Sequence, residues 1–339
     1  VIGDLVDRVA VGLDHAVLRS QHGKIAESAE LRELGPEARL QRLTELATRY
    51  DDPALLAWPG GFLNPGPVIE PVETRVRRGV LDLAWPSSYT PWNEEIAADY
   101  LAHVGNHTAH ARLFEAGPRT LLLVHGYGAG HFGLEERLWP VRAAVSRGWT
   151  VVLIALPFHG RRALPGQLLT PPFPAADPRH ANEGFRQSID DITGLMTWLR
   201  RRGHTAIGAW GVSLGAFTVA LLATLEPLAF LGLMTPLASL ADYAMRHGRL
   251  GDGPTAQASH AALERVNAPI SPFSRKPRVP PDRVHIAAAR QDRITGTDQA
   301  ERLGRHFGVA PEVCVGGHIL RIGVRPAVSR WVPWIDQLD

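Results

Sequence analysis

Five short apolar runs recur along the chain: Thr120–Val124, Thr150–Leu156, Ala206–Gly211, Leu228–Met234 and Val284–Ala289. None alternates apolar with polar residues, as a strand with one wet face would. Strands of this kind are covered on both faces, which is the situation of a parallel sheet between helical layers. Helical patterns separate the runs. Leu134–Arg147 is one; Asn182–Arg202 is the stronger, with Phe185, Ile189, Ile192, Met196 and Leu199 on one face and Gly203 placed to end it. Val72–Leu83 and Thr108–Phe114 read as earlier strands and Glu312–Val315 as the last. The fold class expected is α/β, a mostly parallel central sheet with helices on both faces.

The first 50 or so residues differ. Val1, Leu5, Val6, Val9, Leu13 and Val17 fall near a helical period, as do Leu40, Leu43, Leu46 and Tyr50, with Pro36 placed to open the second helix. A Pro/Gly-rich connector, Pro53 to Pro71, follows. We therefore expect an N-terminal helical arm and linker over residues 1–71 and the main domain over 72–339. The apolar faces of the arm need cover, from the main body or from a partner in a homodimer formed through these helices.

Composition removes several function classes. Positive and negative charges nearly cancel at net +2, all but two of the 36 basic residues are arginine, and no like-charge run stands out. That argues against a nucleic-acid or anionic-membrane surface. No apolar run is long enough to span a membrane, and the first residues show no signal-peptide pattern. A single cysteine, Cys314, in an apolar run, excludes an intrachain disulfide and reads as a buried thiol. Cytoplasmic residence is the expectation. His103, His107 and His110 lack a carboxylate partner at convincing spacing, so no metal is expected. The glycines at 126, 128 and 130 match no dinucleotide or phosphate-loop pattern, so no cofactor is expected either.

The chemistry sits in Ala206-Ile-Gly-Ala-Trp-Gly211-Val-Ser213-Leu-Gly215-Ala-Phe217, a strand running into Gly-x-Ser-x-Gly and then a helix. A serine on such a tight turn projects its hydroxyl from the sheet. Side chains at 211 and 215 would clash across the turn, and the helix N-terminus turns backbone N–H groups toward the reacting centre.

In this motif the chain resembles the α/β-hydrolase superfamily of serine hydrolases, over about residues 72–339. The acid segment and a Pro-x-His-Gly loop, Pro157–Gly160, are similar to the dienelactone-hydrolase and prolyl-oligopeptidase-like branches. The resemblance implies an α/β-hydrolase fold and a triad in the order Ser213, Asp292, His318. Asp292 follows the strand Val284–Ala289, with Asp242 as the alternative acid one strand earlier. His318 follows the last strand, in Gly316-Gly317-His318. It also implies an oxyanion hole made by the backbone N–H groups of Tyr127, in His125-Gly126-Tyr127, and of Leu214, with His125 bracing its loop. Arg161 and Arg162 are expected in salt bridges to the protein rather than on a substrate.

Residues 235 to 282, between two strands, are expected to form a small helical cap, and the Pro-rich stretch 163–181 a flap. Tyr127, His131, Phe158 and Tyr243 are candidate substrate-binding residues. The function that follows is hydrolysis of a small-molecule carboxylic ester through an acyl-enzyme. Peptidase, thioesterase and acyltransferase variants use the same parts. A non-catalytic binding protein on this fold is the reading from another class.

Overall fold

The computed structural model describes residues 2–21, 34–167 and 170–338. Val1 of the arm's apolar stripe and Leu168-Leu169 of the expected flap lie outside the described residues. Among the described residues the sheet has nine strands: β1 (Val72–Arg77), β2 (Val80–Pro86), β3 (Thr108–Phe114), β4 (Arg119–Val124), β5 (Trp149–Ile154), β6 (Ala206–Val212), β7 (Leu231–Met234), β8 (Val284–Ala289) and β9 (Glu312–Cys314). Their order is β1-β2-β3-β5-β4-β6-β7-β8-β9. The pairs β1–β2, β2–β3 and β3–β5 are antiparallel; from β5 onward every pair is parallel.

The unbroken apolar runs are explained by burial of both faces. In β4, β5 and β6, Leu122, Val124, Val152, Ile154, Ile207 and Ala209 enter one core. Their neighbours Leu121, Leu123, Val151, Leu153, Trp210 and Val212 enter the other. Successive strand residues point to opposite faces, so a strand with both faces covered must be apolar throughout.

The described α-helices are α1 (Ile2–Gln21), α2 (Pro36–Tyr50), α3 (Glu94–Leu101), α4 (Phe132–Leu138), α5 (Val141–Val145), α6 (Pro178–Arg201), α7 (Leu214–Leu225), α8 (Leu240–Arg246), α9 (Gly253–Val266), α10 (Thr297–Phe307) and α11 (Val324–Ile335). Side chains of α6, α7 and α10 fill the first core, and those of α5 and α11 the second. No described helix is long and apolar enough to cross a membrane.

Three local readings change. The run Val72–Leu83 is two strands, because Arg78-Gly79 turns the chain back, with Gly79 at φ +70°. The pattern Leu134–Arg147 is two short helices, α4 and α5, with Trp139-Pro140 between them. Proline has no N–H to continue a helix and disfavours helical backbone in the residue before it. The helix read from Asn182 begins earlier, capped by the Asp177 side chain with Pro178 in its first turn.

The arm is integral to the body. Leu46, Ala47 and Tyr50 of α2 belong to the first core, and Leu43 packs with Ala241, Ala262 and Leu263 from α8 and α9. Helix α1 departs from its sequence reading. Val9 and Leu13, expected on the covered stripe, are 48% and 40% exposed. Among the α1 side chains described, the buried ones are Asp7, Ala10 and Asp14, at the three-and-four spacing of one helical face.

Candidate active site

At the carboxyl ends of β4, β6, β8 and β9 the chain leaves the sheet in loops that converge. Strand β4 lies centrally between β5 and β6, where the chain order reverses, the place at which open α/β sheets bind ligands.

Ser213 stands between β6 and α7 at φ +55°, ψ −115°. A non-glycine residue there carries strain of about 1–3 kcal/mol, sustained only if its surroundings hold it. Its backbone is held on three sides: its N–H donates to Met234 O at 3.0 Å, and its carbonyl accepts from Phe217 N at 3.1 Å and Leu237 N at 3.3 Å. The flanking glycines are steric requirements. A Cβ on Gly211 would lie 2.3 Å from Gly215 O, and one on Gly215 2.2 Å from Val124 O and 2.5 Å from His125 O. The Gly215→Ala variant must push α7 away from the β4 loop, at a cost on the order of 3 kcal/mol. A lowered melting temperature is the measurable outcome; an unchanged melt would contradict this packing.

The loop after β4 lies against the serine. A Cβ on Gly126 would sit 3.4 Å from Ser213 Cβ. His125, fully enclosed, donates from Nδ1 to Gly126 O at 2.8 Å and accepts at Nε2 from Leu156 N at 3.0 Å. Burial lowers its pKa, and these two bonds suit a neutral ring that fastens the loop to the chain after β5. The N–H groups of Tyr127 and Leu214 donate to no described protein acceptor. For Leu214 this follows from its place at the start of α7, where intrahelical acceptors are missing. The Tyr127 ring lines the cavity, and its hydroxyl donates to Pro171 O at 3.0 Å, anchoring the Pro-rich stretch. Burial pushes that phenol up to about 12.

His318 and Asp292 meet. Nδ1 of His318 lies 2.8 Å from Asp292 Oδ2. The other carboxylate oxygen accepts from the N–H groups of Ile294 and Thr295, both at 2.8 Å. The Thr295 hydroxyl donates to Asp292 Oδ2 at 2.8 Å and stands 3.3 Å from His318 Nδ1. Burial alone would raise the Asp292 pKa. The His318 ring and the Thr295 donors outweigh it and hold the carboxyl well below the usual range. Thr295 is not evident in the sequence, because a threonine three residues after an aspartate resembles any turn.

Ser213 and His318 line one cavity of about 840 Å³, together with Gly126, Tyr127 and Leu214. Among the described residues no hydrogen bond joins Ser213 to His318. Such bonds are often long without substrate and tighten in the reacting complex. The walls are mainly apolar: Leu237, Leu240, Tyr243 and Leu263 come from the segment 235–282, Leu43 from α2, and Val17 from α1.

Two candidate binding residues are placed elsewhere. His131 is exposed at the start of α4 and does not line the cavity. Phe158 is buried against Tyr100 and His103, at centroid distances of 5.3 Å each. An exposed loop position and a turn at φ +63° gave no sequence signal of where either side chain would point. Arg161 pairs with Asp82 at 2.5 Å and Arg162 with Asp191 at 2.6 Å. Asp242, the alternative acid, pairs with Arg302 at 2.6 Å and His260 at 2.8 Å. Asp242, His260 and Glu264 could converge on a cation, but the Arg302 guanidinium already bridges both carboxylates.

Among solved structures, the chain is similar to a cold-adapted esterase from an Arctic intertidal metagenomic library. The TM-score is 0.50 at 16% identity, over 83% of this chain and 99% of that one. The chain has the α/β-hydrolase fold. It also aligns with carboxyl esterase 2 from the mycorrhizal fungus Tuber melanosporum, at TM-score 0.48 and 17% identity over 86% of this chain and 98% of that one. No protein-family model matches the sequence, and no curated protein does. In the α/β-hydrolase fold of this chain, the loops that follow β4, β6, β8 and β9 carry Tyr127, Ser213, Asp292 and His318, and α1, α2 and the segment 235–282 cover them.

Proposed function

We propose that the protein is a serine hydrolase that cleaves carboxylic esters through Ser213, His318 and Asp292. The observation that carries this reading is a serine held at positive φ on a strand-to-helix turn. It opens into the same cavity as a histidine whose far nitrogen lies 2.8 Å from a buried carboxylate.

In this reading Ser213 Oγ attacks the acyl carbonyl while His318 Nε2 takes its proton. The N–H groups of Tyr127 and Leu214 receive the oxyanion. His318 then protonates the leaving alcohol, and water, activated by the same imidazole, releases the acid from the acyl-enzyme. Asp292 keeps the proton of neutral His318 on Nδ1, leaving Nε2 free to accept, and stabilises the imidazolium. Two preorganised donors at an oxyanion site favour the transition state, and losing one costs about 3–4 kcal/mol. The apolar walls favour the acyl part of an ester over a charged peptide. The direct test is labelling with a fluorophosphonate, followed by peptide mapping and a panel of acyl esters. The adduct is expected on Ser213, with turnover of at least one ester; a label elsewhere, or none, would remove the reading.

The segment 235–282 is proposed to set acyl length. The half-buried Tyr243 ring stands at the cavity wall, 4.5 Å from the His247 ring, with the Arg249 guanidinium 5.5 Å from its centroid. Tyr243→Ala enlarges the cavity and is expected to shift the preferred ester toward longer chains, by about tenfold in relative kcat/KM. Fluorophosphonate labelling of Ser213 is retained. An unchanged rank order of esters with a lower melting temperature would show that Tyr243 only packs.

A further inference from the structure

The covered face of α1 is a carboxylate face, and it is turned toward the loops that carry Asp292 and His318. Asp14 is fully buried. Its Oδ2 accepts from His318 N at 2.9 Å and from Arg293 N at 3.0 Å, and its Oδ1 accepts from Ile319 N at 3.0 Å. One side chain thus binds the backbone on either side of the Asp292–His318 pair. Two turns earlier, Asp7 repeats the arrangement: Oδ2 meets the Arg290 guanidinium at 2.7 Å, and Oδ1 accepts from Gly316 N at 3.3 Å.

Steric fit agrees with the hydrogen bonds. A Cβ on Gly317 would lie 2.9 Å from Asp14 Oδ2 and 3.1 Å from Ala10 Cβ. The glycine before His318 therefore admits the helix as close as it comes. The loops also touch each other, where Gln291 N donates to Gly316 O at 2.9 Å.

We propose that Asp14 is a positioning residue: from the N-terminal helix α1, its carboxylate fixes the His318 loop against the Asp292 loop and so sets where the imidazole stands relative to Ser213. This rests on the ester-hydrolase reading for its kinetic consequence, but not for its structural one. A buried carboxylate receiving three backbone N–H groups is a strong, charge-assisted set of bonds. A buried amide left unpaired is costly, so the loop has one favourable position while the helix is docked. Asp14 touches no reacting atom. Its effect runs through geometry, where a shift of about 1 Å costs up to about 100-fold in rate.

The test compares the full chain with Asp14→Asn and with Val9→Ala on the exposed face of the same helix. Asparagine keeps the shape but turns an NH2 toward amides that need an acceptor. In Asp14→Asn, kcat is expected to fall about 10- to 100-fold with KM within about threefold of wild type. Hydrogen exchange of the 313–322 backbone is expected to quicken while that of β4 and β6 stays slow. Val9→Ala should match wild type in both. If Asp14→Asn does not fold, Gly317→Ala, which pushes α1 from the loop by sterics alone, is read in the same way. A wild-type kcat, with only the melting temperature lowered, would make Asp14 a simple anchor and overturn the proposal. So would unchanged exchange at 313–322. Absence of ester turnover in the wild type would instead count against the hydrolase reading, and exchange would still decide the clamp.

Discussion

Ser213→Ala is expected to remove ester turnover and fluorophosphonate labelling together, with kcat reduced about 10⁶-fold. Losing the nucleophile costs nearly as much as losing a whole triad, because the remaining groups then have no bond to form. The fold should survive. The three backbone hydrogen bonds of residue 213 do not involve the hydroxyl, and alanine meets the same strain at φ +55°. Circular dichroism and a thermal melt at the wild-type value complete the measurement. A folded alanine variant that retained turnover would place the chemistry on another residue.

Asp292→Asn is expected to lower kcat by about 10⁴-fold. The amide can offer an NH2 to His318 Nδ1, which holds the imidazole proton on Nε2, where it cannot accept from Ser213. Asp242→Asn is the comparison: Asp242 binds Arg302 and His260 instead, so its loss should leave kcat within about fivefold. The reverse ranking would move the acid to the loop after β7. Stability carries a second signature. The Asp292 carboxyl is depressed in the folded state, so its contribution is complete above the unfolded value of about 3.9 and is lost as pH falls through the folded value. Wild type should therefore exceed Asp292→Asn in stability at neutral pH, and the gap should close on acidification below about pH 4.

The difference between these residues and Asp14 is a difference in range. The turn at Ser213 is local: strand, two glycines and helix lie within a dozen residues, and the clash of any larger residue at 211 or 215 is a property of that segment. Asp292 and His318 lie 26 positions apart in sequence, yet each follows a recognisable strand, and strands of a parallel sheet deliver their following loops to one edge. Chain order then carries the geometry.

Helix α1 had no such rule. Periodicity placed Val9 and Leu13 inward because, for an isolated helix, water is the only neighbour and aliphatic side chains have most to gain from leaving it. In the folded chain the opposing surface is a row of backbone N–H groups from Arg293, Gly316, His318 and Ile319, which need acceptors. Two carboxylates satisfy them and two aliphatic side chains do not. The places of Phe158, and of Val17 and Leu43 in the cavity wall, were likewise set by partners far away in the chain. By itself the sequence determined the layered sheet, the strained serine and the order of the groups that face it, since these follow from local sterics and strand succession. Only the tertiary structure decided which face of the arm is covered, what encloses the cavity and what holds the histidine loop, because those depend on which unpaired polar groups another part of the chain presents.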